Sequence, residues 1–79
     1  MALDASPLEL AREQLGLSLG DLWFRCLGLG GLFSLFELTA SLAGRRPLTP
    51  PEFDVVAQAL NERFMDDGGD HPLAYADGS

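Results

Sequence analysis

Lysine and isoleucine are absent from the 79-residue sequence, and asparagine occurs only once, at Asn61. The codons for these three amino acids are rich in A and T, so their joint scarcity indicates a genome of high GC content. We therefore expect an actinobacterial origin, which concerns the source of the protein and leaves its activity open.

Cysteine is almost absent too, because Cys26 is the only one in the sequence. A single cysteine excludes an internal disulfide framework, and the first residues lack the basic and apolar regions of a signal peptide. The longest uncharged stretch, residues 26–36, is shorter than the roughly 18 residues that a membrane-spanning helix needs. We expect a cytoplasmic protein that neither crosses nor binds a membrane.

Positive charge is scarce, since five arginines face twelve acidic residues and the net charge is −7. Nucleic acids and anionic membranes bind surfaces whose basic side chains neutralise phosphates, so this balance argues against direct binding of either. The acidic surplus instead favours solubility or a basic protein partner.

Four segments begin with the pattern of a helix capping box, in which Ser or Thr is followed three positions later by an acidic or amide residue. These are Ser6–Glu9, Ser18–Asp21, Ser34–Glu37 and Thr49–Glu52. Glycines suited to left-handed helix ends follow at Gly16, Gly28, Gly44 and Gly68–Gly69. The pattern predicts helices near residues 7–15, 19–28, 35–43 and 50–66.

Evidence for strands is poor, because Val55 and Val56 are the only β-branched aliphatic residues and no segment alternates apolar with polar residues. The sequence therefore predicts an all-α fold, a small bundle of three to four short helices with an extended C-terminal tail. We expect residues 1–67 to form one helical domain. The acidic tail, residues 68–79, is expected to fold back through Pro72, Leu73 and Tyr75.

The helix predicted at 35–43 is apolar nearly all round, which indicates burial on more than one side. So short a chain has few other helices to cover it, and exposed apolar surface marks interaction sites. We predict an interaction surface formed by aromatic side chains, for a protein partner or a homodimer. Its members are Trp23, Phe24, Phe33 and Phe36.

Catalytic chemistry has little support in the sequence. Cys26 lies in an apolar helix without a nearby base, so we interpret it as a small buried residue and not as a nucleophile. His71 follows Asp66, Asp67 and Asp70, but their spacing fits no EF-hand loop, and a solvated tail is the simpler interpretation. We predict no enzyme activity, no metal site and no cofactor.

Two further hypotheses rest on short motifs. Arg45 and Arg46 form the only basic cluster and are candidate contacts for an anion. They could also serve a DNA-associated regulator that resembles a helix-turn-helix protein. In the stretch "LGGLFSLFEL", Ser34 and Leu35 resemble the attachment motif of acyl and peptidyl carrier proteins. Phe33 replaces the acidic residue of that motif, and the chain before Ser18 is short for the first helix of a carrier.

The run "LWFRCLGLGGLFSLFELTASLAG" followed by "LTPPEFDVVAQALNERF" resembles a group of short, uncharacterised actinobacterial proteins. The resemblance covers about residues 19–64 and implies a small helical regulatory or accessory protein. It brings no catalytic residues. Together with the apolar surface, it leads us to expect a non-enzymatic protein that acts by protein–protein contact.

Overall fold

The computed structural model describes residues 3–69 and residue 73 of the chain. These residues form an all-α bundle, which confirms the predicted fold class. The helices are α1 (Ser6–Leu15), α2 (Leu19–Gly28), α3 (Leu35–Leu42) and α4 (Pro50–Asp66).

Reciprocal capping boxes start α3 and α4 where the sequence predicts them. The Ser34 hydroxyl accepts the Glu37 backbone N–H at 3.1 Å, and the Glu37 carboxylate accepts the Ser34 N–H at 2.8 Å. Thr49 and Glu52 make the same pair of bonds at 3.3 and 2.9 Å. Each box satisfies two donors that the first helical turn leaves without partners, so both helix starts are fixed locally.

The start of α1 differs from the predicted capping box at Ser6 and Glu9. Ser6 is the first helical residue, and its N–H donates to the Asp4 carboxylate at 2.9 Å. Glu9 does not reach back because its carboxylate pairs with Arg12 one turn further along. The Ser6–Glu9 prediction is therefore wrong, and Asp4 provides the N-terminal contact.

The left-handed helix ends are confirmed at Gly16, Gly44 and Gly68, which all have positive φ. The prediction for Gly28 is wrong, because Gly28 is still helical and the positive φ, 88°, occurs at Gly30. The chain then turns so tightly that the Gly31 N–H donates to the Cys26 carbonyl oxygen at 2.8 Å. A Cβ atom on Gly31 would lie 2.9 Å from that oxygen, so the turn requires glycine there.

Apolar side chains from all four helices meet in one core. Helix α4 packs against α1 and α2, and α3 packs against α1 and α2. The fully buried side chains include Leu8, Leu22, Cys26, Leu38, Val56, Ala57, Ala59 and Leu60. Such burial is the main favourable contribution to folding.

Helix α3 is not buried on more than one side, in contrast to the prediction. Leu38, Ser41 and Leu42 face the core, whereas Leu35 and Phe36 are exposed. The main helix contacts of α3 are with α1 and α2, and they bury only the face that carries Leu38, Ser41 and Leu42. Its outer face consequently keeps apolar side chains in contact with solvent.

Beyond Gly69, the C-terminal tail is described at Leu73 alone. This residue is half-buried and packs against the core, as its predicted return to the bundle requires. His71, Pro72 and Tyr75 lie outside the described residues, and the domain boundary at residue 67 stays a prediction.

Candidate functional site

Large apolar side chains are exposed along the chain between the second half of α2 and the first turn of α3. Leu32, in the connection between these helices, is 98% exposed, Phe36 is 81% exposed and Phe24 is 73% exposed. Leu27 and Leu35 are also exposed, to a smaller extent. These five side chains are close in the sequence, and we call them together the exposed apolar patch: Phe24, Leu27, Leu32, Leu35 and Phe36.

Helix geometry explains why α2 contributes two members of this patch. Leu22 and Cys26, four residues apart, are fully buried and define the face that meets the core. Successive residues rotate by about 100° around the helix axis, so Phe24, two residues from each of them, points away from the core. Leu27 follows Phe24 by three residues and lies on the same side of α2.

Trp23 and Phe33 join α2 to the connection before α3. The indole Nε1–H of Trp23 donates a hydrogen bond of 2.9 Å to the Phe33 carbonyl oxygen. Trp23 is half-buried against the core, and the Phe33 side chain is only 5% exposed. Phe33 stands just before the Ser34 cap and is enclosed together with Leu38, the arrangement of a hydrophobic staple.

The four aromatic residues of the predicted interaction surface differ in their exposure. Phe24 and Phe36 are exposed, Trp23 is half-buried, and the inclusion of Phe33 is wrong because its ring belongs to the core. Leu32 was missed by the sequence analysis. Leu32 could have been found from the alternation of side chains along an extended chain. If the Phe33 side chain faces the core, the side chain of its neighbour Leu32 points outward.

A cavity of about 270 Å³ adjoins the exposed apolar patch. Leu32 and Phe33 line one side, and Pro51 and Val55 from the start of α4 line the other. The polar part of its wall comes from Glu37, Arg46 and Glu52. A concave, largely apolar site with a few polar groups is the usual form of a binding pocket.

Arg46 is held by two carboxylates, and the anion contact predicted for it stays a prediction. Its Nη2 lies 2.8 Å from Glu52 Oε2 and 3.7 Å from Glu37 Oε2, and Nη1 donates to the Ser41 hydroxyl at 3.0 Å. The hydrogen bond from Arg46 lowers the pKa of Glu52, and the same bond raises the pKa of Arg46. The guanidinium therefore joins the capping boxes of α3 and α4, and an external anion would have to displace these carboxylates.

Arg45, the other candidate anion contact, is exposed next to a shallow cavity of about 410 Å³. Asp4 and Arg46 also line this cavity, so it carries both signs of charge. Within residues 3–69, no ion pair links Arg45 to a carboxylate. An anion contact at Arg45 stays a prediction.

Two side chains with nucleophilic groups occupy contrasting positions. Cys26 is fully buried, as predicted, and burial raises the pKa of its thiol to about 12. Its thiolate, the reactive form, is therefore rare at neutral pH. Ser34 is exposed at the start of α3, where its oxygen accepts the Glu37 N–H, so its hydroxyl can be reached from solvent.

In a helix-turn-helix arrangement, α4 would take the place of the helix that reads DNA. Its arginine, Arg63, lies 3.3 Å from the Asp67 carboxylate, and Glu62 lies next to it in the sequence. Both acidic side chains would repel phosphate near this arginine. The helix-turn-helix hypothesis stays a prediction.

The described part of the chain holds no group of three or more side chains suited to bind a metal ion. None of its helices has both the length and the apolar character to span a bilayer. Comparisons with protein-family models, curated proteins and solved structures find no match to this chain. The resemblance to short actinobacterial proteins accordingly stays a prediction.

Proposed function

We propose that this protein is a non-enzymatic regulatory or accessory protein that acts by binding another protein chain through the exposed apolar patch. The observation that carries the proposal is the exposure of Phe24, Leu32 and Phe36, which gain nothing from folding while they remain in water. Aromatic side chains are enriched at the centres of protein interfaces and supply much of the binding energy there.

The neighbouring cavity supports the same proposal. It lies beside Leu32 and has apolar walls at Phe33, Pro51 and Val55, so a partner that covers the patch can place one apolar side chain in it. Because Arg46 is already paired with Glu37 and Glu52, the polar wall of the cavity presents no unpaired arginine charge to that side chain.

A cross-linking experiment tests the proposal at the level of single residues. A photoreactive phenylalanine analogue at position 36 should form a covalent adduct with the bound chain in the native host. The matched control carries the same analogue at Leu10, which is 59% exposed on α1 and lies outside the patch. Intact mass of the adduct distinguishes a second copy from a different protein.

A pair of double variants provides the energetic test. Phe24→Ser with Phe36→Ser removes the two aromatic members of the patch, whereas Leu10→Ser with Met65→Ser removes exposed apolar side chains elsewhere. If each aromatic ring contributes about 2 kcal/mol at a binding hot spot, each Ser substitution weakens Kd roughly thirtyfold. Equal Kd values for the two double variants, or equal adduct yields at positions 36 and 10, would contradict the proposal.

Modification at Ser34 is the alternative proposal, supported by the exposed hydroxyl at the start of α3. A carrier domain would bear a phosphopantetheine arm on this oxygen. The intact mass of the chain expressed in its native host, compared with a Ser34→Ala variant, tests this alternative. A mass equal to that of the unmodified chain would exclude it.

A further inference from the structure

The side chain of Asn61 binds the main chain of Leu73 through two hydrogen bonds. The Asn61 Nδ2–H donates to the Leu73 carbonyl oxygen at 3.0 Å, and the Leu73 N–H donates to Asn61 Oδ1 at 3.0 Å. Asn61 is 1% exposed, and Leu73 packs against the core. Its carboxamide therefore pairs with Leu73 in the way that two residues pair in a β-ladder.

Asn61 contacts the main-chain N–H and C=O of Leu73, which nearly all residues have. A carboxamide offers one acceptor and two donors, which match the N–H and C=O of a residue in extended chain. Specificity can then come only from the aliphatic side chain that packs beside it. Neither the hydrogen bonds nor the packing of the side chain depends on whether Leu73 belongs to the same molecule as Asn61.

Because Asn61 is buried, the site is unfavourable when no peptide segment occupies it. A buried carboxamide that loses both partners keeps the penalty of its removal from water. Among the described residues, every buried side-chain nitrogen and oxygen has a hydrogen-bond partner, and for Asn61 that partner is Leu73. An empty site would leave a polar group unsatisfied next to apolar core surface.

We propose that Asn61 and the core surface beneath Leu73 form a binding slot for an extended peptide segment, filled by this chain's own tail and open to exchange with the tail of a second copy. We call it the Asn61 slot. The exit from α4 allows the tail to change direction, since Gly68 has φ of 86° and both Gly68 and Gly69 are exposed. Exchange of an identical element between copies is a known route to dimers.

The tail of the same molecule has the advantage of proximity. Leu73 follows Asn61 by twelve residues, and such a short tether gives an effective concentration in the millimolar range. Exchange should therefore be rare while both tails are intact, and become prominent when one tail is defective. This inference does not depend on the exposed apolar patch.

Complementation between two full-length variants tests the inference. Leu73→Pro keeps the slot but removes the leucine side chain and the N–H that donates to Asn61 Oδ1. Asn61→Leu keeps the tail but replaces the carboxamide with an apolar group of similar size. We expect a one-to-one complex when the two are mixed, and less association for either variant alone, in sedimentation velocity experiments at equal total concentration.

The exposed apolar patch is intact in both variants, so any association through it is the same in the mixture and in the separate samples. Failure of the patch proposal would therefore leave the complementation unaffected. A mixture that sediments as the sum of the separate variants would overturn the inference about the Asn61 slot.

A synthetic peptide of residues 70–79 provides the second measurement, with anisotropy of a terminal dye as the readout. It should bind the Leu73→Pro variant at least about tenfold more tightly than the wild type, whose slot is occupied. Methylation of the peptide nitrogen of Leu73 should weaken binding at least about tenfold, because it removes one hydrogen bond and adds a clash. Equal affinities in either comparison would overturn the inference.

Circular dichroism shows whether the Leu73→Pro variant is folded before these measurements. If it is unfolded, saturating peptide should restore the α-helical signal, and the N-methylated peptide should not. For an unfolded variant, a helical signal unchanged by the peptide would likewise overturn the inference. Gln58→Ala, an exposed change on the same helix, is the matched control and should bind the peptide as the wild type does.

Discussion

The indole N–H of Trp23 and the carbonyl oxygen of Phe33 form a 2.9 Å hydrogen bond that joins α2 to the extended connection before α3. The bond holds the Phe33 main chain against α2 while the Phe33 ring enters the core. Leu32, the preceding residue, is consequently directed to solvent. Of these two adjacent apolar side chains, Phe33 is thus buried and Leu32 is exposed where the bond joins the connection to α2.

Replacement of Trp23 by Phe should destabilise the protein by about 1–3 kcal/mol, because the Phe33 carbonyl loses its partner in a partly buried site. Urea unfolding followed by circular dichroism measures the change. Phe24→Leu, one position further along α2 and exposed, is the control and should change stability by less than about 0.5 kcal/mol. Equal effects of the two substitutions would show that the Trp23 hydrogen bond contributes nothing.

Truncation of the two phenylalanines around the Ser34 cap should change stability to very different extents. Phe33→Ala removes a buried ring and should cost about 3–5 kcal/mol in the free energy of unfolding. Phe36→Ala removes an exposed ring and should cost less than about 0.5 kcal/mol, while it weakens binding of a partner. Urea titration of both variants checks the first effect, and a Phe36→Ala variant that unfolds as easily as Phe33→Ala would contradict the observed burial.

Much of the secondary structure could be predicted from local signals. The capping pairs Ser34–Glu37 and Thr49–Glu52 set their helix starts through contacts within four residues, so no knowledge of the fold was needed. The prediction at Ser6 failed because Glu9 is engaged by Arg12, a choice between two local partners that the spacing alone leaves open.

The candidate site was less predictable because burial depends on how the helices pack. The apolar character of residues 35–43 does not reveal that only one face of α3 is buried. Arg46 illustrates the same limit for charge. Its pairing with Glu52, six residues away, and with Glu37 requires the turn between α3 and α4 to bring three side chains together.

Glycine substitutions should separate the tight turn after α2 from the helix itself. Gly31→Ala places a Cβ atom 2.9 Å from the Cys26 carbonyl oxygen, and we expect a loss of about 1–3 kcal/mol from the resulting backbone shift. Gly28→Ala lies in the last turn of α2 with open space around its Cβ position. It should be neutral or stabilise the protein by up to about 1 kcal/mol. Thermal unfolding of both variants tests the contrast, which disappears if the turn can relax.

The Arg46–Glu52 ion pair should make stability depend on pH in the acidic range. The hydrogen bond from Arg46 holds the pKa of Glu52 below its ordinary value of 4.5, with a further contribution from Thr49. A carboxyl group whose pKa is lower in the folded state stabilises that state at pH values above its ordinary pKa. The contribution is lost as the pH falls through the lowered pKa.

Glu52→Gln should therefore unfold at a lower temperature than the wild type at neutral pH, with the difference shrinking below about pH 4.5. A partly exposed ion pair with a capping contact is worth on the order of 1 kcal/mol, or roughly 4–8 °C in Tm. Differential scanning calorimetry across this pH range checks the trend, and Glu13→Gln, an exposed change on α1, is the control. A difference in Tm that is constant with pH would exclude Glu52 as its source.

Cys26 should report opening of the core, because its side chain is fully buried and its thiol pKa is raised to about 12. Because the thiol is out of reach of solvent and burial disfavours its reactive thiolate, a disulfide reagent must wait for the chain to open. We expect slow labelling in the native state and rapid labelling in urea, followed by absorbance. Gly31→Ala should accelerate labelling of the native protein, because the Gly31 N–H donates to the Cys26 carbonyl oxygen. The increase in rate should correspond to the free energy by which the substitution destabilises the turn. Native labelling as fast as that of the unfolded chain would mean that the core around Cys26 is open to solvent.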